Sequence, residues 1–311
     1  MPPSSPYTPS RPLLDTRSVV AFMHNVLSIA LPLKSRDAKL CIKIRDTEQL
    51  LSIYFASNTI KTADFRHPRF YYEEDRKKLK ERIITELIQY ERLEDDDKIG
   101  LGKGGMRPRG GDILADKTFF LVTGLPASGK SSIANKISDG SKSIIIDSDF
   151  AKRKFPEFGT DYGAALVHEE ASLITEGPLA SKNYEGLNVL EIAITQNFNI
   201  VMPKICSSEA KTKVILEYFH NLGYRCYFVH VELDRGKATR RAFERFKKTN
   251  RYVPLALIYD DYSNNPTLTY LKIKSLSILD GFIHLSNDVR LGEPPRVIET
   301  LNANFIKKWI E

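Results

Sequence analysis

FFLVTGLPASGKSSI, Phe119 to Ile133, writes GxxxxGK[ST] between an apolar run and the start of a helical pattern. Phe119, Phe120, Leu121 and Val122 predict a buried parallel strand, Gly124 to Gly129 a turn, and Lys130, Ser131 and Ser132 the opening of a helix. In that setting successive backbone N–H groups and the positive end of the helix converge on an anion. Lys130 then reaches the β- and γ-phosphates of a nucleotide, and the Ser131 hydroxyl suits Mg²⁺. The run Gly124, Leu125, Pro126, Ala127, Ser128, Gly129, Lys130, Ser131, Ser132 is the expected cradle for ATP. The competing reading is a glycine-rich turn that binds nothing; every motif position being filled in its context argues against it.

From Thr118 onward strand and helix patterns alternate, which predicts an α/β fold: a mostly parallel sheet with helices on both faces. The candidate strands are Phe119 to Thr123, Ser143 to Ile146, Asn199 to Met202, Tyr224 to Val231 and Phe282 to Leu285. Catalytic groups belong beyond their carboxyl ends. The second strand ends in IIIDSDF, which delivers Asp147 and Asp149 to the edge that carries the phosphate loop. Carboxylates there hold Mg²⁺ or take the proton of an attacking hydroxyl, although an Asp that caps the following helix fits the same residues.

The chain has 311 residues, 42% of them hydrophobic, enough for a full core and two domains. Cys41, Cys206 and Cys226 form no CxxC pair and leave an odd count, so they read as reduced thiols of a cytoplasmic protein. No apolar run approaches the roughly 20 residues a bilayer demands, so no membrane partner is expected. The Pro/Ser-rich leader, residues 1–14, reads as disordered or as an address for secretion as an effector. The net charge of +7 is partly a mixed-sign helix around Lys77 to Arg82 and partly the group Arg240, Arg241, Arg245, Lys247, Lys248 and Arg251. A basic surface suits any anionic substrate; no nucleic-acid module accompanies it, so nucleic acid is the minority reading.

Before Asp95 the pattern is mainly helical and suggests a small N-terminal domain, 1–94. Asp15 caps a helix from Thr16 to about Ala30, Lys39 to Ile44 reads as a short strand, Asp46 with Gln49 resembles a capping box, and Glu73 to Leu93 is an amphipathic helix. DDDKIGLGKGGMRPRGGD and its neighbours, 95–117, read as a flexible linker to a second domain at 118–311 that carries the phosphate loop. A second phosphate loop at Gly102 to Gly105 lacks a preceding strand.

Taken together, GLPASGKSS, IDSDFAKRKFPEF and LGYRCYFVHVELDRGKATRRAFERFKKTNRYVP resemble the zeta toxins, P-loop kinases of bacterial toxin–antitoxin modules. SNNPT at Ser263 to Thr267 fits that family's Asn-x-Pro region, and the likeness covers roughly Thr118 to Asn287. It implies that Asp149 is the catalytic base and that Arg245 and Arg251 are functional; guanidinium forks suit the γ-phosphate oxygens, although most arginines on such a helix face solvent. It also implies an acceptor that bears a nucleotide, such as a UDP-amino sugar or NAD, and an antitoxin that blocks the site, a role the N-terminal domain could fill in cis. Two departures stand out. Ala127 replaces a common third glycine, and MPKICSS at Met202 to Ser208 replaces the Glu-Gly-Thr that holds the sugar. The substrate-binding acid falls on Glu176 or Glu170, with Glu169, Asn188 and Glu191 as other registers. Nucleoside or polynucleotide kinase and a non-catalytic ATP-gated module are the alternatives.

Overall fold

The computed structural model describes residues 9–54, 58–160, 163–249, 251–290 and 292–310. Its centre is β1 (Thr118–Thr123), buried at every position. The other strands are β2 (Ile144–Ile145), β3 (Ile200–Lys204), β4 (Arg225–Glu232), β5 (Gly281–Ser286) and β6 (Arg296–Leu301). They form one sheet in the order β2-β3-β1-β4-β5-β6, parallel except for β6, which runs antiparallel to β5. The expected strands are all present. β6 was not expected: RVIETL is a half-exposed edge strand with no continuous apolar run to announce it.

Among the described residues twelve α-helices surround the sheet: α1 (Thr16–Asn25), α2 (Ser35–Tyr54), α3 (Glu73–Gln89), α4 (Lys130–Ser141), α5 (Ser148–Lys152), α6 (Gly163–Leu166), α7 (His168–Glu176), α8 (Val189–Thr195), α9 (Glu209–Asn221), α10 (Arg235–Thr249), α11 (Asn265–Ile273) and α12 (Asn304–Ile310). Adjacent residues of a strand point to opposite faces. Phe119 stacks on Phe219 of α9 at 3.7 Å between centroids, whereas Phe120 meets Phe305 and Trp309 of α12. Helices therefore cover both faces.

The N-terminal helices pack onto the rest of the chain. Leu79, Ile83, Ile84 and Leu87 of α3 lie in one hydrophobic cluster with β1, β3 and β4. Val19, Phe22 and Met23 of α1 and Cys41 and Ile44 of α2 lie in another with Phe243 and Phe246 of α10 and with Leu125 of the phosphate loop. Asp15 caps α1 as expected, accepting from the Ser18 N–H at 2.9 Å. Residues 39–44 are helical, not a strand, and Asp46 and Gln49 lie inside the same helix. The reason is visible in burial: Cys41, Ile44, Glu48 and Leu51 are all buried, a 3-4-3 spacing that marks one helical face. Residues 1–8 of the leader are outside the described residues; of the remainder, Leu13 is buried and its N–H donates to Glu48 at 2.5 Å.

Residues 95–117 do not hang free. Ile99 and Met106 are buried, the Met106 N–H donates to the Leu87 carbonyl, and the Ile145 N–H of β2 donates to the Met106 carbonyl. Gly105 is a close-approach glycine: a Cβ there would lie 2.3 Å from the Tyr90 carbonyl oxygen. The Gly102 N–H, which a phosphate loop would present to an anion, is bound to Glu86 at 2.7 Å.

α3 is tied to α7 by charge as well. Arg76, fully buried, donates to Glu170 from Nε (2.9 Å) and Nη2 (2.7 Å) and to Glu157 from Nη1 (2.7 Å). Removing one partner of a buried ion network leaves unpaired charge and costs about 3–5 kcal/mol. Arg76→Ala should therefore lower the melting temperature of the whole chain in a single calorimetric transition. Two transitions, only one of them shifted, would show α3 to unfold on its own.

Candidate functional site

The loop after β1 has the backbone of an anion nest. φ is positive at Gly124 (149°), Ala127 (62°) and Gly129 (96°). Gly129 has no room for a side chain, since a Cβ would lie 2.2 Å from Nδ2 of Asn287, which donates to the Ser128 carbonyl at 2.6 Å. Ala127 adopts the left-handed conformation that favours glycine, which accounts for glycine being common at that place in the resembling family. Two buried donors in this region, Ser128 Oγ and Arg245 Nε, have no hydrogen-bond partner among the described residues. A loop with this backbone and two orphaned donors are what a phosphate would satisfy, so the cradle fits ATP.

Lys130 opens α4 and its Nζ donates to the Leu125 carbonyl at 2.7 Å. Desolvation pulls the ammonium down to about 8, opposed by the charge of Asp147. Ser131 and Ser132 are exposed on the first turn. Among the described residues no three His, Cys, Asp or Glu side chains could hold a metal. Mg²⁺ in phosphoryl-transfer sites needs only one or two protein oxygens beside substrate phosphates, and Ser131 and Asp147 are the residues that could supply them.

Both acids lie beyond β2. Asp147 caps α5, accepting from the Asp149 N–H at 3.0 Å, so the capping reading is correct for it. Desolvation, helped by the charge of Asp149, pushes its carboxyl up to about 6. Asp149 is the opposite. Lys152, at 2.8 Å, and then Arg251, with Nη2 at 3.5 Å, hold its carboxyl far below the usual range against desolvation. One acid stays ionised throughout while its neighbour titrates near neutrality.

Arg245, on α10, is desolvated and repelled by Arg251, which lowers its pKa; its own charge in turn acts to lower the pKa of Lys130. The structure thus brings Lys130, Asp147, Asp149, Arg245 and Arg251 into one electrostatic cluster. Glu176 ends α7 and is paired with Lys204, at the end of β3 where the family's Glu-Gly-Thr would stand. Glu170 is engaged elsewhere: its carboxylate is buried against Arg76 and Thr59, which speaks against substrate contact and favours Glu176 of the two.

Sequence reasoning missed Lys152, Arg153, Asn287 and Asp97. Lys152 stands three residues after Asp149 on a helix, a spacing that brings opposite charges together. Asp97 had no local signal; it reaches Arg153 and Arg251 only through the fold.

The raised Asp147 pKa has a sign in stability. The folded protein binds a proton that the unfolded chain, at the ordinary value of 3.8, releases earlier, so this group's effect lowers stability as pH rises from about 4 to 6. Asp147→Asn keeps the cap and removes the desolvated charge. It should raise the melting temperature at pH 7.5 and have no such effect at pH 3.5; an equal change at both would refute the assignment.

Residues 114–267 match the profile of the family described as Zeta toxin. A search of curated proteins found no match. Similar solved structures include one from the PezAT chromosomal toxin–antitoxin system of Streptococcus pneumoniae, 15% identical with a TM-score of 0.41, covering 65% of this chain and 81% of that chain. The AvrRxo1-ORF1:AvrRxo1-ORF2 complex with ATP is 13% identical with a TM-score of 0.43, covering 91% of this chain and 79% of that chain. The matched stretch, just under half of the chain, holds the phosphate loop, the acid pair and both arginines, and over that stretch the chain is similar to the zeta toxin family.

Proposed function

We propose that this chain is an ATP- and Mg²⁺-dependent phosphotransferase that phosphorylates a hydroxyl of a nucleotide-bearing small molecule, such as a UDP-amino sugar or NAD, and acts as a toxin or effector. The observation that carries this reading is the placement of an ionised carboxylate, Asp149, in one electrostatic cluster with the phosphate-loop lysine and two arginines. ATP supplies the phosphoryl group, and Mg²⁺ offsets the charge on its phosphates. The loop amides of Gly124 to Ser132 bind the phosphates, and Ser131 and Asp147 would hold the metal. Asp149 aims the acceptor hydroxyl and receives its proton as the new O–P bond forms and ADP departs. Arg245 and Arg251 offer donors to the oxygens on which charge collects.

The acceptor side is less specified. Glu176 is the proposed acceptor contact, and Lys204 beside it favours an acceptor that carries negative charge. An antitoxin-like inhibitor partner belongs to the same reading. So does the division into an N-terminal segment, 1–94, a connecting segment, 95–117, and the kinase segment, 118–311. No helix among the described residues is long and apolar enough to cross a membrane.

The direct test is mass spectrometry of a metabolite extract incubated with the protein and ATP, which should reveal a nucleotide-bearing compound heavier by one phosphate. Lys130→Ala should abolish the product without unfolding the protein, because the lysine meets phosphate rather than the core. Transfer to oligonucleotide ends alone would indicate a polynucleotide kinase, and ATP binding without transfer a gated binding module.

The base has its own test. Asp149→Asn keeps the size of the side chain and removes its basicity, so turnover should fall by roughly 10² to 10⁴ while ATP affinity holds within a few-fold. Normal turnover in that variant, with Asp147→Asn inactive at any Mg²⁺ concentration, would exchange the roles of the two acids.

A further inference from the structure

Asp97 lies in the segment before β1, far in sequence from the site, yet one of its oxygens joins two site arginines. Oδ1 accepts from Nη1 of Arg251 at 2.6 Å and from Nη2 of Arg153 at 2.7 Å. Arg153 in turn donates from Nη1 to the main-chain carbonyl of Asp149 at 3.0 Å. Arg251 turns its other nitrogen, Nη2, toward Oδ2 of Asp149, 3.5 Å away. The contacts close a ring: Asp149 main chain, Arg153, Asp97, Arg251, Asp149 side chain.

We infer that Asp97 is a positioning residue for phosphoryl transfer, holding Arg251 by one edge so that its other edge faces Asp149 and the incoming phosphate. The inference rests on the phosphotransfer reading above and adds a residue from outside the matched family domain to its site. Arg153 is the strut, with a side chain only 5% exposed and both terminal nitrogens engaged. The acid is suited to the task. Desolvation acts to raise its pKa, but Arg251 and Arg153 outweigh it, so the carboxylate remains charged. An exposed ion pair contributes little to stability, and Asp97 is 50% exposed; the value of this contact is orientation. A guanidinium left to turn freely would face Asp149 only part of the time, and small misplacements of a catalytic group cost up to about 10² in rate.

The test uses the full chain. In nucleotide-free protein, Asp97→Ala should raise severalfold the rate at which phenylglyoxal modifies Arg251, read by peptide mass, while modification of the exposed Arg17 stays the same. In ATP turnover with a metabolite extract, kcat should fall roughly tenfold to a hundredfold, with KM for ATP within about threefold. Asp97→Asn, which retains an acceptor oxygen, should fall between. Arg251→Ala should cost clearly less in the Asp97→Ala background than it costs in the unaltered chain, because the two residues act as one unit; full additivity of the two losses overturns the inference. An unchanged phenylglyoxal rate overturns it, and so does an unchanged or raised kcat, the last being the mark of a self-inhibiting acid. Absence of Lys130-dependent turnover in the unaltered chain would remove the phosphotransfer reading instead. The phenylglyoxal arm needs no nucleotide and still decides whether Asp97 holds Arg251.

Discussion

Positive charge gathered at the carboxyl edge of a parallel sheet is the constraint around which the rest of this molecule is arranged. Lys130, Lys152, Arg153, Lys204, Arg245 and Arg251 each act on Asp147, on Asp149 or on one another. In a partly desolvated setting such cations repel strongly, and the folded chain absorbs the excess with a few carboxylates. Asp149 takes Lys152 and part of Arg251, Glu176 takes Lys204, and Asp97 takes the remaining edges of Arg153 and Arg251. The acids leave over Lys130, whose Nζ lies on the Leu125 carbonyl of the phosphate loop, and the Nε of Arg245, which has no hydrogen-bond partner among the described residues. A polyphosphate would complete that balance.

The features that were legible in the sequence are those with little freedom. A glycine–lysine–serine loop between a buried strand and a helix admits few geometries, so its place, the neighbouring strands and the two acids could be read directly. Arg245 and Arg251 are singled out only through a family likeness, because nothing in a basic helix separates a site arginine from a solvated one. The errors arose where one pattern serves two structures. LCIKI alternates like a strand, but its burial repeats every three or four residues once α1 and α10 lie beside it. The glycines near Gly105 were read as slack and are instead the condition for tight contact between two stretches of backbone. Glu170 resembles a ligand acid in sequence and is committed to Arg76 in space. Contacts such as Asp97 with Arg251, more than 150 residues apart, have no local signature at all.

The N-terminal helices share the hydrophobic clusters of the kinase segment, and Leu125 of the phosphate loop belongs to the cluster of α1 and α2. The loop is therefore packed from behind by residues far upstream, and its shape depends on more than its own glycines. Glu48 of α2, held by the Leu13 N–H and the Tyr252 hydroxyl, links the same helices to the stretch that follows Arg251.

The bond from Ile145 to the Met106 carbonyl has a consequence for handling the protein. β2 is the outermost strand on its side and only two residues long. Uncovered strand edges invite pairing with other chains, and proteins commonly shield them with a short strand or a covering loop. Here both devices occur together, with the backbone at Met106 lying along the open side of β2. A shortened chain that begins after Met106 would keep every residue of the phosphate loop and lose this shield, leaving a bare backbone edge open to aggregation.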